Sequence, residues 1–180
     1  MKVSFELSDS DIRYFRDRLR EVRSKETAQD ENVVIRRAAK LVQKAADAKP
    51  PQFVIERLEK LDQLTGMLLD EEWRLEGRDR ARILNALAYF AEEEDLIPDK
   101  VPGLGYLDDA IMVELVTQEL KHEIEAYEDF CKLRKSGPTA QSEAKREARR
   151  TALQARMRRR MRRDREGRGG GRGGSGLRLW

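Results

Sequence analysis

The stretch "LDDAIMVELVTQELKHEIEAYEDFCKLR", residues 107–134, decides the fold. Met112, Val116, Leu120, Ile124, Tyr127 and Cys131 recur within it at spacings of three and four, which lays them along one face of a single long helix. In its first half, "AIMVELV", apolar side chains point to nearly every side, so this part is expected to be the central and most buried helix. Glu114 interrupts it and is read as marking the solvent side, with pairing to an arginine such as Arg82 as the alternative.

Working outward, four shorter stripes of the same period precede it. Ser8 opens the first, with Asp11 three residues on as a weak capping box, and Ile12, Phe15, Leu19 and Val22 follow. Val34, Ala38, Leu41 and Ala45, with Ile35, Ala39 and Val42 beside them, mark a second helix that Pro50-Pro51 ends. Val54, Leu58, Leu61, Leu64, Leu68 and Leu75 make the third, broken by Gly77. Ile83, Leu87 and Phe90, flanked by Leu84, Ala88 and Ala91, make the fourth. No strand of useful length emerges. The predicted class is all-α, a bundle of about five helices over residues 1–135.

Between the fourth and fifth helices lies "DLIPDKVPGLGYLDD", residues 95–109, with two prolines, two glycines and four aspartates. Pro98-Asp99 suits a type I turn, and Pro102-Gly103 suits a type II turn in which glycine supplies the positive φ. Two such turns are expected to bring the fifth helix back along the fourth. Asp108 and Asp109 fall in the first turn of that helix, where the dipole and free N–H groups stabilise carboxylates by about 0.3–1 kcal/mol each. Two other readings stay open: a hard-cation site of Asp95, Asp99, Asp108 and Asp109, and a loop that docks a partner.

Asp95, Ile97, Pro98, Asp99, Pro102, Gly105, Tyr106, Asp108 and Asp109 together form a pattern that resembles the hallmark of the YkvA-like family. The resemblance is close over roughly residues 85–120 and compatible with the helices upstream. It implies a small bacterial helical domain of unknown function, and brings with it no reaction, cofactor or catalytic residue.

The remaining residue types offer little chemistry. His122 is the single histidine and Cys131 the single cysteine, so zinc coordination and an internal disulfide are not expected. His122 reads as a rim residue of the fifth helix, and Cys131 as part of its apolar stripe. Nucleotide-binding and serine-nucleophile motifs are missing, so no catalytic residue is assigned and no cofactor is expected. The run Glu92, Glu93, Glu94 and Asp95 reads as solvated. "MKVSFELSDSD" has no apolar leader region, and the longest apolar runs fall far below the ~18 residues that span a bilayer. A soluble, cytoplasmic protein is the expectation.

Charge is unevenly distributed. From Ser136 onward the chain carries 14 Lys and Arg against 4 Asp and Glu, while residues 1–135 carry 23 against 30. An acidic body therefore bears a basic extension, expected to be helical over 136–166 and disordered over 167–180. Leu153, Met157 and Met161 give the helical part a thin apolar stripe. Arg156, Arg158, Arg159, Arg160, Arg162 and Arg163, with Arg168 and Arg172 of two RGG units, are the candidate nucleic-acid-binding residues, because guanidinium groups pair bidentately with phosphate. The partner expected is RNA or DNA, alongside an unidentified protein partner for the helical body. Alternatives are an anionic membrane surface, a metal-dependent enzyme built on the aspartate loop, or an extension that folds onto its own acidic body. The final "LRLW", 177–180, reads either as a docking anchor or as chance.

Overall fold

The computed structural model describes residues 7–24, 30–92, 97, 101, 105–136 and 143–169. It is all-α: α1 (Asp9–Ser24), α2 (Glu31–Ala48), α3 (Gln52–Leu69), α4 (Gly77–Leu87), a 3-10 turn (Ala88–Ala91), α5 (Leu107–Glu119), α6 (Lys121–Ser136) and α7 (Glu143–Gly169). No strand occurs among the described residues.

Local chemistry sets most of the boundaries. The Ser8 N–H donates to Asp11 Oδ2 at 2.8 Å and the Asp11 N–H to Ser8 Oγ at 3.3 Å, a reciprocal cap with aspartate in the place usually held by glutamate. Asp30 accepts the Asn32 N–H at 2.8 Å to start α2, and Lys49 leaves that helix in the left-handed region (φ 50°) ahead of the two prolines. The third stripe ends earlier than Gly77. Asp70 stops α3, its Oδ1 accepting the N–H groups of Glu72 and Trp73 at 3.0 Å each, which folds the chain into a tight turn. Gly77, at φ +55°, instead begins α4, and Leu75 is buried from the turn rather than from the helix.

The core follows the predicted stripes. Met112, Val113 and Val116 of α5 are fully buried, as are Leu61, Leu64 and Met67 of α3. α5 packs chiefly on α3, not back along α4 as the turn residues suggest, and α2 closes the other side of α3. Glu114 is half-buried and does meet an arginine, but it is Arg57, whose Nε lies 3.4 Å away. At the entry to α5 the Gly105 N–H donates to the Val101 carbonyl at 2.8 Å, and buried Tyr106 takes a left-handed conformation (φ 65°). Asp108 then reaches back: its Oδ2 accepts the Ile97 N–H at 3.0 Å, tying the loop to the helix it precedes. The two expected turns at 98–100 and 102–104 lie outside the described residues.

The long fifth helix is in fact two. Leu120 departs from helical geometry (φ −98°, ψ 15°), which ends α5 and separates it from α6. The cause is Arg82 of α4. Its Nη2 donates to the Glu119 carbonyl at 2.8 Å, so a side chain competes for a group that the helical ladder normally uses. The same guanidinium lies 2.6 Å from Glu123, which is wholly buried. Burial pushes the Glu123 carboxyl above the ordinary range; Arg82 opposes that rise, and Asp79 nearby adds to it.

Removing Arg82 alone leaves this carboxylate buried without its counter-charge. Arg82→Met is expected to cost about 3–5 kcal/mol in urea unfolding at pH 7. Because a raised folded-state pKa means that the native state binds the proton more tightly, stability rises on acidification toward the ordinary carboxylate range. The deficit should therefore narrow at mildly acidic pH, and Arg82→Met combined with Glu123→Leu should recover most of it.

Candidate nucleic-acid interface

The basic extension folds back as α7 along α6, and the register of the pair can be read from its ion pairs. Arg156 lies 3.7 Å from Asp129, Arg160 lies 2.7 Å from Glu125, and Asp164 lies 3.0 Å from Lys121 and 2.9 Å from His122. Numbers rise by four on one helix and fall by about four on the other, so the helices run antiparallel with one turn matched to one turn. The third pairing has its charges reversed. A slip of one turn would set Asp164 against Glu125, so the pattern fixes one register.

The stripe foreseen on α7 faces inward. Met157 is fully buried, and Leu153 and Met161 are packed half-buried on either side of it. Arg158 Nε reaches across to Asp79 of α4 at 2.8 Å, and Arg146 comes within 3.9 Å of Glu72. Gln154 Nε2 donates to the Trp73 carbonyl at 2.8 Å. His122 is thus a residue beneath α7, with its Nε2 against Asp164, rather than an open rim position.

Trp73, which the periodicity of the sequence does not single out, organises this face. It is fully buried, and its ring stacks against Phe130 and Tyr127 of α6 at centroid separations of 5.1 and 5.8 Å. Asp70 supports it from below. Its Oδ2 accepts from the Tyr127 hydroxyl at 3.0 Å and from Arg134 at 2.8 Å, and the Arg134 guanidinium lies over the Phe130 ring. Burial pulls the Asp70 carboxyl upward, but the Trp73 N–H, Tyr127 and Arg134 together hold it below the ordinary range. Burial, with Asp70 beside it, pushes the Tyr127 phenol up.

The outer face of α7 has a different character. Arg159, Arg162 and Arg163 are exposed and make no ion pair among the described residues, and the same holds for Lys145, Arg149 and Arg165. Lys145, Arg149, Arg159 and Arg163 follow one line along the helix over about 27 Å. The candidate arginines thus divide. Arg156, Arg158 and Arg160 pair with body carboxylates while remaining about half-exposed, and Arg159, Arg162 and Arg163 face solvent. Arg168 belongs to the last turn of α7, which runs to Gly169; Arg172 and the "LRLW" segment lie outside the described residues.

Of the loop aspartates, Asp108 and Asp109 are buried at the start of α5, while Asp95 and Asp99 lie outside the described residues. Among the described residues no three His, Cys, Asp or Glu side chains converge as metal ligands, and no helix is long and apolar enough to cross a membrane.

Asp70→Ala should lower stability by about 2–3 kcal/mol at neutral pH, since it unpairs two backbone N–H groups, a phenol and a guanidinium together. A depressed folded-state pKa stabilises above the ordinary carboxylate range and is lost as pH falls through the folded value. Urea titrations of wild type and variant should accordingly converge in acid.

No curated protein and no solved structure matches the chain. A family model described as a protein of unknown function, DUF1232, matches residues 79–115, which is about a fifth of the chain. The match covers most of α4, the 3-10 turn, the aspartate loop and most of α5, and is consistent with the YkvA-like resemblance of the loop.

Proposed function

We propose that this is a non-enzymatic binding protein whose arginine-rich C-terminal part contacts the phosphate backbone of RNA or DNA, with the helical body as carrier and adaptor. The observation that supports the reading is the division of α7 into two faces. Its inner face is consumed by Met157, Gln154 and the carboxylates of the body, yet Arg159, Arg162 and Arg163 stay exposed and unpaired among the described residues. A helix that served only to cover the body needs no cations on its far side. A solvated face is more often a mixture of both signs, whereas the line Lys145, Arg149, Arg159 and Arg163 is of one sign. Arg168 and Arg172 extend the same chemistry with glycine around them, which lets the backbone approach a polymer.

The enzyme alternative gains nothing from Asp108, which is buried and whose Oδ2 accepts the Ile97 N–H. An anionic membrane would meet the same cations, and the experiment separates the two. Arg149→Gln, Arg159→Gln and Arg163→Gln are combined in the full chain, and binding to labelled RNA and DNA is followed by fluorescence anisotropy across a salt series. The triple variant should weaken binding evenly across sequences, and its log–log salt slope should fall by about 2 for single strands and about 2.7 for duplex. An unchanged slope overturns the assignment to this face. Flotation on phosphatidylserine vesicles, with no binding to either nucleic acid, would move the face to the membrane.

A further inference from the structure

The carboxylates under α7 occupy the arginines that a phosphate backbone would use. Arg146, Arg156, Arg158 and Arg160 meet Glu72, Asp129, Asp79 and Glu125, and each of the four guanidinium side chains is at least 40% exposed. Three of these pairs are exposed on both sides, and such pairs contribute little individually and are screened by salt; Arg158 differs in meeting a carboxylate, Asp79, that is itself buried. What remains of the docking is narrow: Met157 fully buried, Leu153 and Met161 half-buried, one hydrogen bond from Gln154 to the Trp73 carbonyl, and Asp164 paired with Lys121 and His122.

α7 docked and α7 released therefore offer a polyanion different numbers of cations. Docked, the helix presents its outer line and shares its flanking arginines with the body. Released, it presents those four arginines as well, without competing carboxylates. A ligand shifts an equilibrium toward the state that it binds better, so a nucleic acid backbone favours release. By reciprocity, docking must weaken nucleic acid binding by the same factor.

From this we infer that the face of α6, α4 and the 70–76 turn beneath α7 acts as a built-in phosphate mimic: Glu72, Asp79, Glu125 and Asp129 hold the nucleic-acid-binding helix in check, and a polyanion releases it by replacing them. The fixed antiparallel register supports a specific docked state rather than general attraction between an acidic body and a basic extension. Release also uncovers the Trp73, Tyr127 and Phe130 cluster, giving the two states different surfaces. The inference rests on the proposed nucleic acid reading and adds its regulation.

Neutralising acidic residues would raise affinity for any polyanion, so the decisive variant leaves charge unchanged. Met157→Gln in the full chain weakens docking without altering a single charge. With Trp180→Phe as background, the remaining tryptophan is Trp73, and its emission reports whether the cluster is covered. Expected are a red-shifted emission for Met157→Gln without RNA, a similar red shift in the parent when a single-stranded RNA oligonucleotide is added, and an affinity for that RNA raised about five-fold or more by Met157→Gln.

As a second route, Glu125→Gln with Asp129→Asn should raise affinity more than Glu56→Gln with Glu59→Gln, an equal charge change on α3. If the parent and Met157→Gln bind RNA equally well, or if Trp73 emission stays unmoved in an RNA-saturated parent, the release mechanism is overturned and the binding face stands. If neither protein binds RNA, both readings fall together.

Discussion

The architecture turns on one guanidinium. Arg82 takes the carbonyl of Glu119 and pairs with buried Glu123, and a helix that would otherwise run unbroken from residue 107 to residue 136 is interrupted between them, at Leu120. The interruption separates α5, which the core encloses, from α6. Its inner face then packs on Trp73, and its outer acids, Glu125 and Asp129, become available to a further helix. A buried carboxylate with so few partners is costly, and Arg82 supplies its counter-charge.

Two layers result. One is an ordinary apolar core of α1 to α5, close-packed around Met112, Val113 and Val116. The other is a clasp of α6, α7 and the 70–76 turn. It combines an aromatic cluster, an aspartate with four donors and a ladder of ion pairs, and has much less apolar burial. The charge asymmetry between the two halves of the chain is largely expressed within this second layer. The segment that carries the DUF1232 match spans both: Asp79 receives Arg158 from α7, and Asp108 pins the loop that leads into the central helix.

The sequence was informative where a pattern is local and periodic. The first, second and fourth stripes, the Ser8 cap, the proline stop after α2, the burial of "AIMVELV" and the apolar line on α7 follow from local spacing and residue type, and the structure carries them, while the third stripe ends early and the fifth is divided. The break at Leu120 was not legible, because nothing within 107–134 breaks helical periodicity; the disturbance comes from Arg82, some forty residues away. The end of α3 was obscured by Leu75, which extends the heptad-like pattern although Asp70 has already stopped the helix. Trp73 belongs to no stripe and shows its role only once α6 and α7 close around it. The pairing of Arg156, Arg158 and Arg160 with the body was foreseen only as an alternative, since charge totals cannot say which residues meet.

The order of these helices along the chain has a consequence for synthesis. Trp73, Tyr127 and Phe130 leave the ribosome before the residues that cover them, because Met157 and Gln154 belong to the last helix. At ~5–20 residues per second, the nascent body carries an uncovered aromatic cluster for a few seconds.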